Sequence, residues 1–237
     1  WVFYRSDREL DRLTQLKGRR IAIGAEGSGT RKLSLDLLET NGLDAKNTVL
    51  SPLGGLQAVE ALRQRKVDAV FVVGADQSAA VWSLLYAEGI RLMSMAHAEA
   101  YVRRFPQLAR LVLPQGAIDL TRNIPAQDVT LVSPVAMLVA HESMHPALIQ
   151  LLLQVAQEVH GQAGVFQRPG EFPRASQIDF PLAPEAERFY KSGKPFLQRY
   201  LPFWAATLVD RLVVMIIPIF ALLVPIVKFA PSLYGWR

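Results

Sequence analysis

Two apolar rhythms alternate along the first part of the chain. Short runs read as strands: Trp1 to Tyr4, Arg20 to Ile23, Thr48 to Leu50, Val67 to Val73 and Ile90 to Met93. Between them, leucines and valines recur three or four apart, as on one face of a helix. These segments hold Leu33, Leu37 and Leu38, then Leu56, Val59 and Leu62 between Gly54 and Arg65, then Val81, Leu84 and Leu85. Ser6 with Glu9 forms a capping box, so a helix is predicted to turn Leu10, Leu13 and Leu16 inward before Lys17-Gly18. Val67 to Val73, VDAVFVV, is almost unbroken, as in a parallel strand covered on both faces. The order β-α-β-α-β-α-β predicts an α/β fold, a mainly parallel sheet with helices on both faces.

Further along the texture changes. His97 to Arg104 reads as a helix and Arg110 to Leu113 as a short strand. Asp128 to Ala140 is a long extended run, and Pro146 to His160 an amphipathic helix displaying Leu148, Leu152 and Val155. After Gly161, six prolines from Pro169 to Pro202 break the chain. Residues 161–200 are expected to be a linker or strap with one short helix over Glu185 to Lys191. Leu201 to Val227 is then apolar except for Thr207, Asp210 and Arg211. This predicts a transmembrane helix over 201–230, with Trp204, Tyr234 and Trp236 as interfacial anchors and Lys228 closing the run. A buried or amphipathic helix of a soluble protein is the alternative. Arg188, Lys191, Lys194 and Arg199 precede the run and only Lys228 and Arg237 follow it. By charge count alone, the globular part would lie inside the cell.

The 237 residues suffice for one or two domains. No cysteine is present, which removes disulfides, thiolate nucleophiles and thiolate metal sites. The net charge of +5 is dispersed along the sequence without interleaved aromatics, so no nucleic-acid face is expected. The chain opens at Trp1, within an apolar run and without a signal-peptide pattern; it is expected to be a piece of a longer protein whose N-terminal part is missing.

Candidate chemistry concentrates in Arg19 to Asn41. There a strand feeds the turn Gly24-Ala25-Glu26-Gly27-Ser28-Gly29-Thr30 into a helix that stops at Asn41-Gly42. Such a turn aims free backbone N–H groups and the positive end of a helix dipole at one spot, where an anion binds. Gly24 and Gly29 have P-loop spacing, but Thr30-Arg31 stands where Lys-Ser/Thr is needed; a dinucleotide motif fails at Lys32. Gly27, Ser28, Gly29 and Thr30 therefore read as a small-anion nest, or else as a tight turn that binds nothing. Gly74, Ala75 and Asp76 follow the strand Val67 to Val73, at the sheet end where α/β proteins hold ligands. His141-Glu142-Ser143-Met144-His145 matches H-E-x-x-H, but Pro146 disfavours a helix through His145 and suits the start of the next one. A strand-to-helix turn is expected there, and no metal or cofactor.

LKGRRIAIG with EGSGT, followed in order by LGGLQAVEALRQRKVDAVFVV, GIRLMSM and VTLVSPVAMLVA, resembles the TAXI family of TRAP-transporter solute-binding proteins over roughly Trp1 to His160. The resemblance implies a type II periplasmic-binding-protein-like fold: two α/β lobes joined by crossing strands and closing on a small organic anion. Residues 1–160 would be the solute-binding region, with the second lobe at about 6–127 and a return to the first over 128–160. Gly27, Ser28, Gly29 and Thr30 would then hold a carboxylate, with Gly74, Ala75 and Asp76 beside them and Ser133 facing the cleft. Asp76 repels an anion unless the ligand also carries an amine. The implied partners are TRAP membrane subunits and the lipid bilayer, with the binding domain on the extracytoplasmic side of the inner membrane. No catalytic residue is implied. The alternatives are an enzyme acting on a phosphate ester at the same turn, and a sensor or structural membrane protein whose cleft is vestigial.

Overall fold

Val2, Phe3 and Tyr4 are each almost fully buried, and this three-residue strand, β1 (Val2–Tyr4), lies inside a five-stranded sheet. The other members are β2 (Arg20–Ala22), β3 (Val49–Ser51), β4 (Ala69–Phe71) and β5 (Arg91–Leu92), in the spatial order β3-β2-β4-β1-β5. β2 runs parallel to β3 and β4, whereas β1 is antiparallel to both β4 and β5. The fold is α/β with a mixed sheet, not the mainly parallel one that the spacing predicts. Helical crossovers dictate direction only between the strands they join. β1 belongs to no such unit and fills the slot between β4 and β5 from the opposite direction.

Residue alternation distributes the strands' side chains over two cores. On one face Val2, Tyr4, Ile21, Ile23, Ala69 and Phe71 meet α1 (Gly29–Thr40) through Leu37 and Leu38, and α4 (Ala98–Arg104) through Tyr101. On the other, Phe3, Ala22, Val70 and Val72 meet α2 (Gly55–Arg63) and α3 (Ala79–Leu85) through Val59, Leu62, Val81 and Leu84. Each fully buried leucine contributes about 1.5–3 kcal/mol. Leu56, expected inward, is 60% exposed in the first turn of α2, whose buried face begins at Ala58.

The predicted helix after Ser6 is absent. Leu10, Leu13 and Leu16 are buried as expected, but only Leu13–Leu16 forms a turn of 3-10 helix. Three competing bonds account for this. The Tyr4 hydroxyl accepts the Leu10 amide at 2.8 Å, and the Gln15 side chain accepts the Asp11 and Arg12 amides at 2.9 Å. The Ser6 hydroxyl accepts the Arg8 amide instead of a helix-opening one.

β6 (Leu108–Leu113) and β7 (Val129–Pro134) form a separate antiparallel ribbon, paired from Leu108↔Pro134 to Leu113↔Val129. The extended run expected to reach Ala140 ends as strand at Pro134. α5 (Pro146–His160) and α6 (Pro184–Ser192) follow, joined by Leu153, Ala186 and Phe189. Leu148, Leu152 and Val155, the expected apolar face of α5, are exposed, because α6 takes the face that holds Leu153.

This computed structural model describes residues 1–175 and 180–193, with Ala205, Leu208, Val209, Leu212, Ile216 and Pro218. The chain divides into two units, Trp1–Leu138 with Gly164–Phe166, and Val139–Ala163 with Gln167–Arg237. Among the described residues no helix is long and apolar enough to cross a membrane; the segment predicted to do so, 201–230, lies almost wholly outside them.

Candidate functional site

β2 delivers the chain into the glycine turn, and the turn's geometry follows from close packing. Gly24 has φ +101°, and a Cβ there would lie 2.8 Å from the Arg31 amide nitrogen and 2.9 Å from the Thr30 Cβ. Only glycine lets α1 start so near the end of β2. Ser28 is the N-cap: its hydroxyl accepts the Arg31 amide at 3.2 Å and donates to the Ala25 carbonyl at 2.7 Å. The amides of Gly29 and Thr30 open the helix, and neither has an acceptor one turn back inside it. Gly29 differs from Gly24: its φ is ordinary, and a Cβ there would meet nothing within 4 Å.

Gly29 and Thr30 line a cavity of about 430 Å³. Its apolar wall is Leu33, Val73, Leu108 and Pro134, and Gln107 adds an amide. Lys32 and Asp36 also border it and neutralise each other, Nζ to Oδ2 at 3.3 Å. The first two turns of α1 thus border a small, largely apolar hollow, and its opening residues Gly29 and Thr30 are the donors there that could meet the charged head of a small anion. It has no nucleophile–base pair: the lining includes no histidine, and its one carboxylate, Asp36, is paired.

None of the remaining predicted residues is among those lining this hollow. Gly27, at φ +72°, shapes the turn and borders open space. Ser28 is engaged on both sides as the cap. Gly74, Ala75 and Asp76 directly follow Val73; the Gly74 carbonyl accepts the Trp1 indole N–H at 2.9 Å, and the Ala75 carbonyl accepts the amide of Ser78, the N-cap of α3. Ser133 turns its hydroxyl to the Pro134 carbonyl at 3.2 Å, while Pro134 itself reaches the cavity. Sequence reasoning did not find Lys32, Gln107 or Leu108. The last two arrive through the Leu108↔Pro134 register, a long-range pairing with no local motif.

A larger depression of about 770 Å³, bordered by Glu9, Asp11, Glu99 and Arg110, lies elsewhere on the same unit. Its carboxylates are already engaged: Glu9 accepts from Gln127 at 2.9 Å, Asp11 pairs with Arg12 and Glu99 with Arg103. The smaller hollow, which the opening residues of α1 help to line, is the better candidate. At the H-E-x-x-H match, His145 is the N-cap of α5 and its Nδ1 accepts the Ala147 amide, so the two histidines do not share a helix face. A turn at Glu142 and Ser143 leads into α5, but irregular chain after Pro134, not a strand, leads into it.

The model of the NMT1-like family matches residues 1–192. The chain belongs to the NMT1-like family. Solved structures similar to it include the periplasmic aliphatic sulphonate binding protein SsuA from Escherichia coli, at 23% identity and TM-score 0.33. Another is the alkanesulfonate-binding protein SsuA from Xanthomonas axonopodis pv. citri bound to MOPS, at 28% and 0.31. Each match covers 39% of this chain and spans 30% of the length of the other. The family found is thus NMT1-like, and the TAXI assignment goes no further than a resemblance in motif order.

Proposed function

We propose that this chain belongs to an extracytoplasmic solute-binding protein that captures a small organic anion and performs no chemistry on it. The observation that carries the reading is the start of α1: Gly29 and Thr30, whose amides open the helix, belong to the lining of a hollow of about 430 Å³ with apolar walls. Backbone donors and the helix dipole supply the charge recognition, worth about 0.3–1 kcal/mol at an exposed helix end and more where water is excluded. The ordered motifs shared with the TAXI family support a carboxylate as ligand and a TRAP-type membrane subunit as recipient. Attachment to the inner membrane through 201–230 rests on the apolarity of that stretch. Gly27, Ser28, Gly74, Ala75, Asp76 and Ser133 belong to the proposal as the rim of the site, Asp76 suiting an amine on the same ligand.

The test is thermal unfolding of the full chain in detergent against small carboxylates, amino acids, sulfonates and phosphate esters. A ligand at one hundred times its Kd adds about 2.7 kcal/mol to the native state. A rise in melting temperature with a carboxylate, abolished by Gly29→Asp, is the expected result. A rise with phosphate esters alone would instead favour a phosphate-binding enzyme, and no rise with any compound would leave the cleft vestigial.

A further inference from the structure

Basic residues dispersed along the sequence are gathered by the sheet at one end. Arg5 and residues 17–20, 44–48, 63–68 and 87–91 flank the carboxyl end of β1 and the amino ends of β2, β3, β4 and β5. Backbone and side-chain bonds tie these segments together. The Arg5 amide donates to the Asp68 carbonyl and the Gly18 amide to the Asn47 carbonyl, both at 2.9 Å; the Arg5 guanidinium reaches the Gly89 carbonyl at 3.3 Å. Together they hold nine Lys or Arg against three carboxylates, Asp44, Asp68 and Glu88. This local excess is greater than the net +5 of the whole chain.

Part of the charge has an internal use. Arg5 donates to the Leu62 carbonyl at the end of α2, Arg63 to the Ser83 carbonyl of α3, and Arg19 to the Arg5 carbonyl. Arg20 grips Asp68 with two nitrogens, at 2.7 and 3.1 Å. These bonds satisfy helix and strand ends and need no outside partner. Lys17, Lys46, Arg65, Lys66 and Arg91 remain. All five are exposed, and among the described residues none is within ion-pair distance of a carboxylate. Five unpaired cations on one end repel each other and gain by meeting a polyanion.

We propose that this basic end rests on an anionic phospholipid surface. Two observations select lipid among polyanions. No aromatic residue stands in these segments, as stacking on nucleic acid would require. The same chain also carries the apolar run Leu201 to Val227, and an apolar insert with a basic patch is the two-part attachment that holds proteins at charged bilayers.

The experiment is flotation of the full chain with vesicles of phosphatidylcholine, with and without phosphatidylglycerol. The readout is the ratio of the two partition coefficients, which cancels whatever the apolar run contributes to both. Each exposed cation is expected to add about fivefold to that ratio. The triple substitution Lys17→Gln, Lys46→Gln, Lys66→Gln should lower it about a hundredfold with an unchanged melting temperature, and high salt should bring wild type and variant together. A ratio near one for the wild type overturns the proposal. So does a high ratio that survives the triple substitution, which would place the lipid contact at Arg188 to Arg199. Retention on polyglutamate without any preference for phosphatidylglycerol would replace the bilayer with an acidic protein.

Discussion

Gly24 and Gly29 sit five positions apart in one turn, and the structure gives them opposite reasons for being glycine. Gly24→Ala places a methyl 2.8 Å from the Arg31 amide nitrogen at φ +101°. The left-handed backbone costs about 1–2 kcal/mol and the overlap with backbone atoms about 1–3 more. For a chain of this length each kcal/mol moves the melting temperature by about 2–4 °C, so a fall of roughly 5–20 °C is expected. Gly29→Ala places its methyl in open space at an ordinary φ. It should stabilise the native state by about 0.4–1 kcal/mol through the unfolded chain. Yet the methyl occupies ground in front of the helix-opening amides, so the ligand-induced rise in melting temperature should shrink or vanish. The assay is differential scanning fluorimetry of both variants with and without the best carboxylate. If Gly29→Ala keeps the full ligand response, or loses as much stability as Gly24→Ala, the assignment of Gly29 to ligand space is wrong.

Other expectations follow from single bonds. Tyr4→Phe removes the acceptor for the buried Leu10 amide and should cost about 1–3 kcal/mol, read as a lower urea midpoint with little change in slope. Asp68 is held below the usual carboxylate range, first by its hydrogen bonds from the Arg20 side chain, against an opposing effect of burial. A depressed folded pKa gives stability that is present above the unfolded value, about 3.9, and lost as pH falls through the folded one. Asp68→Asn should therefore lower the melting temperature at pH 7 but not at pH 2, and an equal loss at both would refute the ionic account. His145→Ala removes the side-chain cap of α5 and should cost about 0.5–2 kcal/mol, whereas a chelator should leave both stability and ligand response unchanged. Stoichiometric zinc in the purified protein would contradict that.

The sequence was most legible where short-range chemistry decides. The Gly24 to Thr30 turn, the alternation of Ala69 to Val72 over two cores and the Pro146 helix start are each set by neighbours, and each is found in the structure. Legibility failed where a distant group intervened. The Tyr4 hydroxyl captures the Leu10 amide and dissolves the expected helix, and β1 reverses the sheet's direction without any crossover to announce it. Leu108 and Pro134, half of the cavity's four apolar wall residues, come through the pairing of β6 with β7, and the charge that looked dispersed is collected by strand order. Periodicity reports which residues are buried better than it reports what they are buried against. Leu153, and not Leu152, is covered on α5 for that reason.

The position of β1 also sets an order of events in folding. Residues 2–4 leave the ribosome well before residues 69–71 and 91–92, between which they are seated. Until then the edges of β4 and β5 stand open, and an apolar strand waits in solution beside them. Closing such long loops is slow, although the entropic cost rises only about 0.6 kcal/mol for each doubling of length. Refolding should therefore be limited by insertion of three residues into a waiting gap, and nascent chains should need shielding between the synthesis of Tyr4 and that of Leu92.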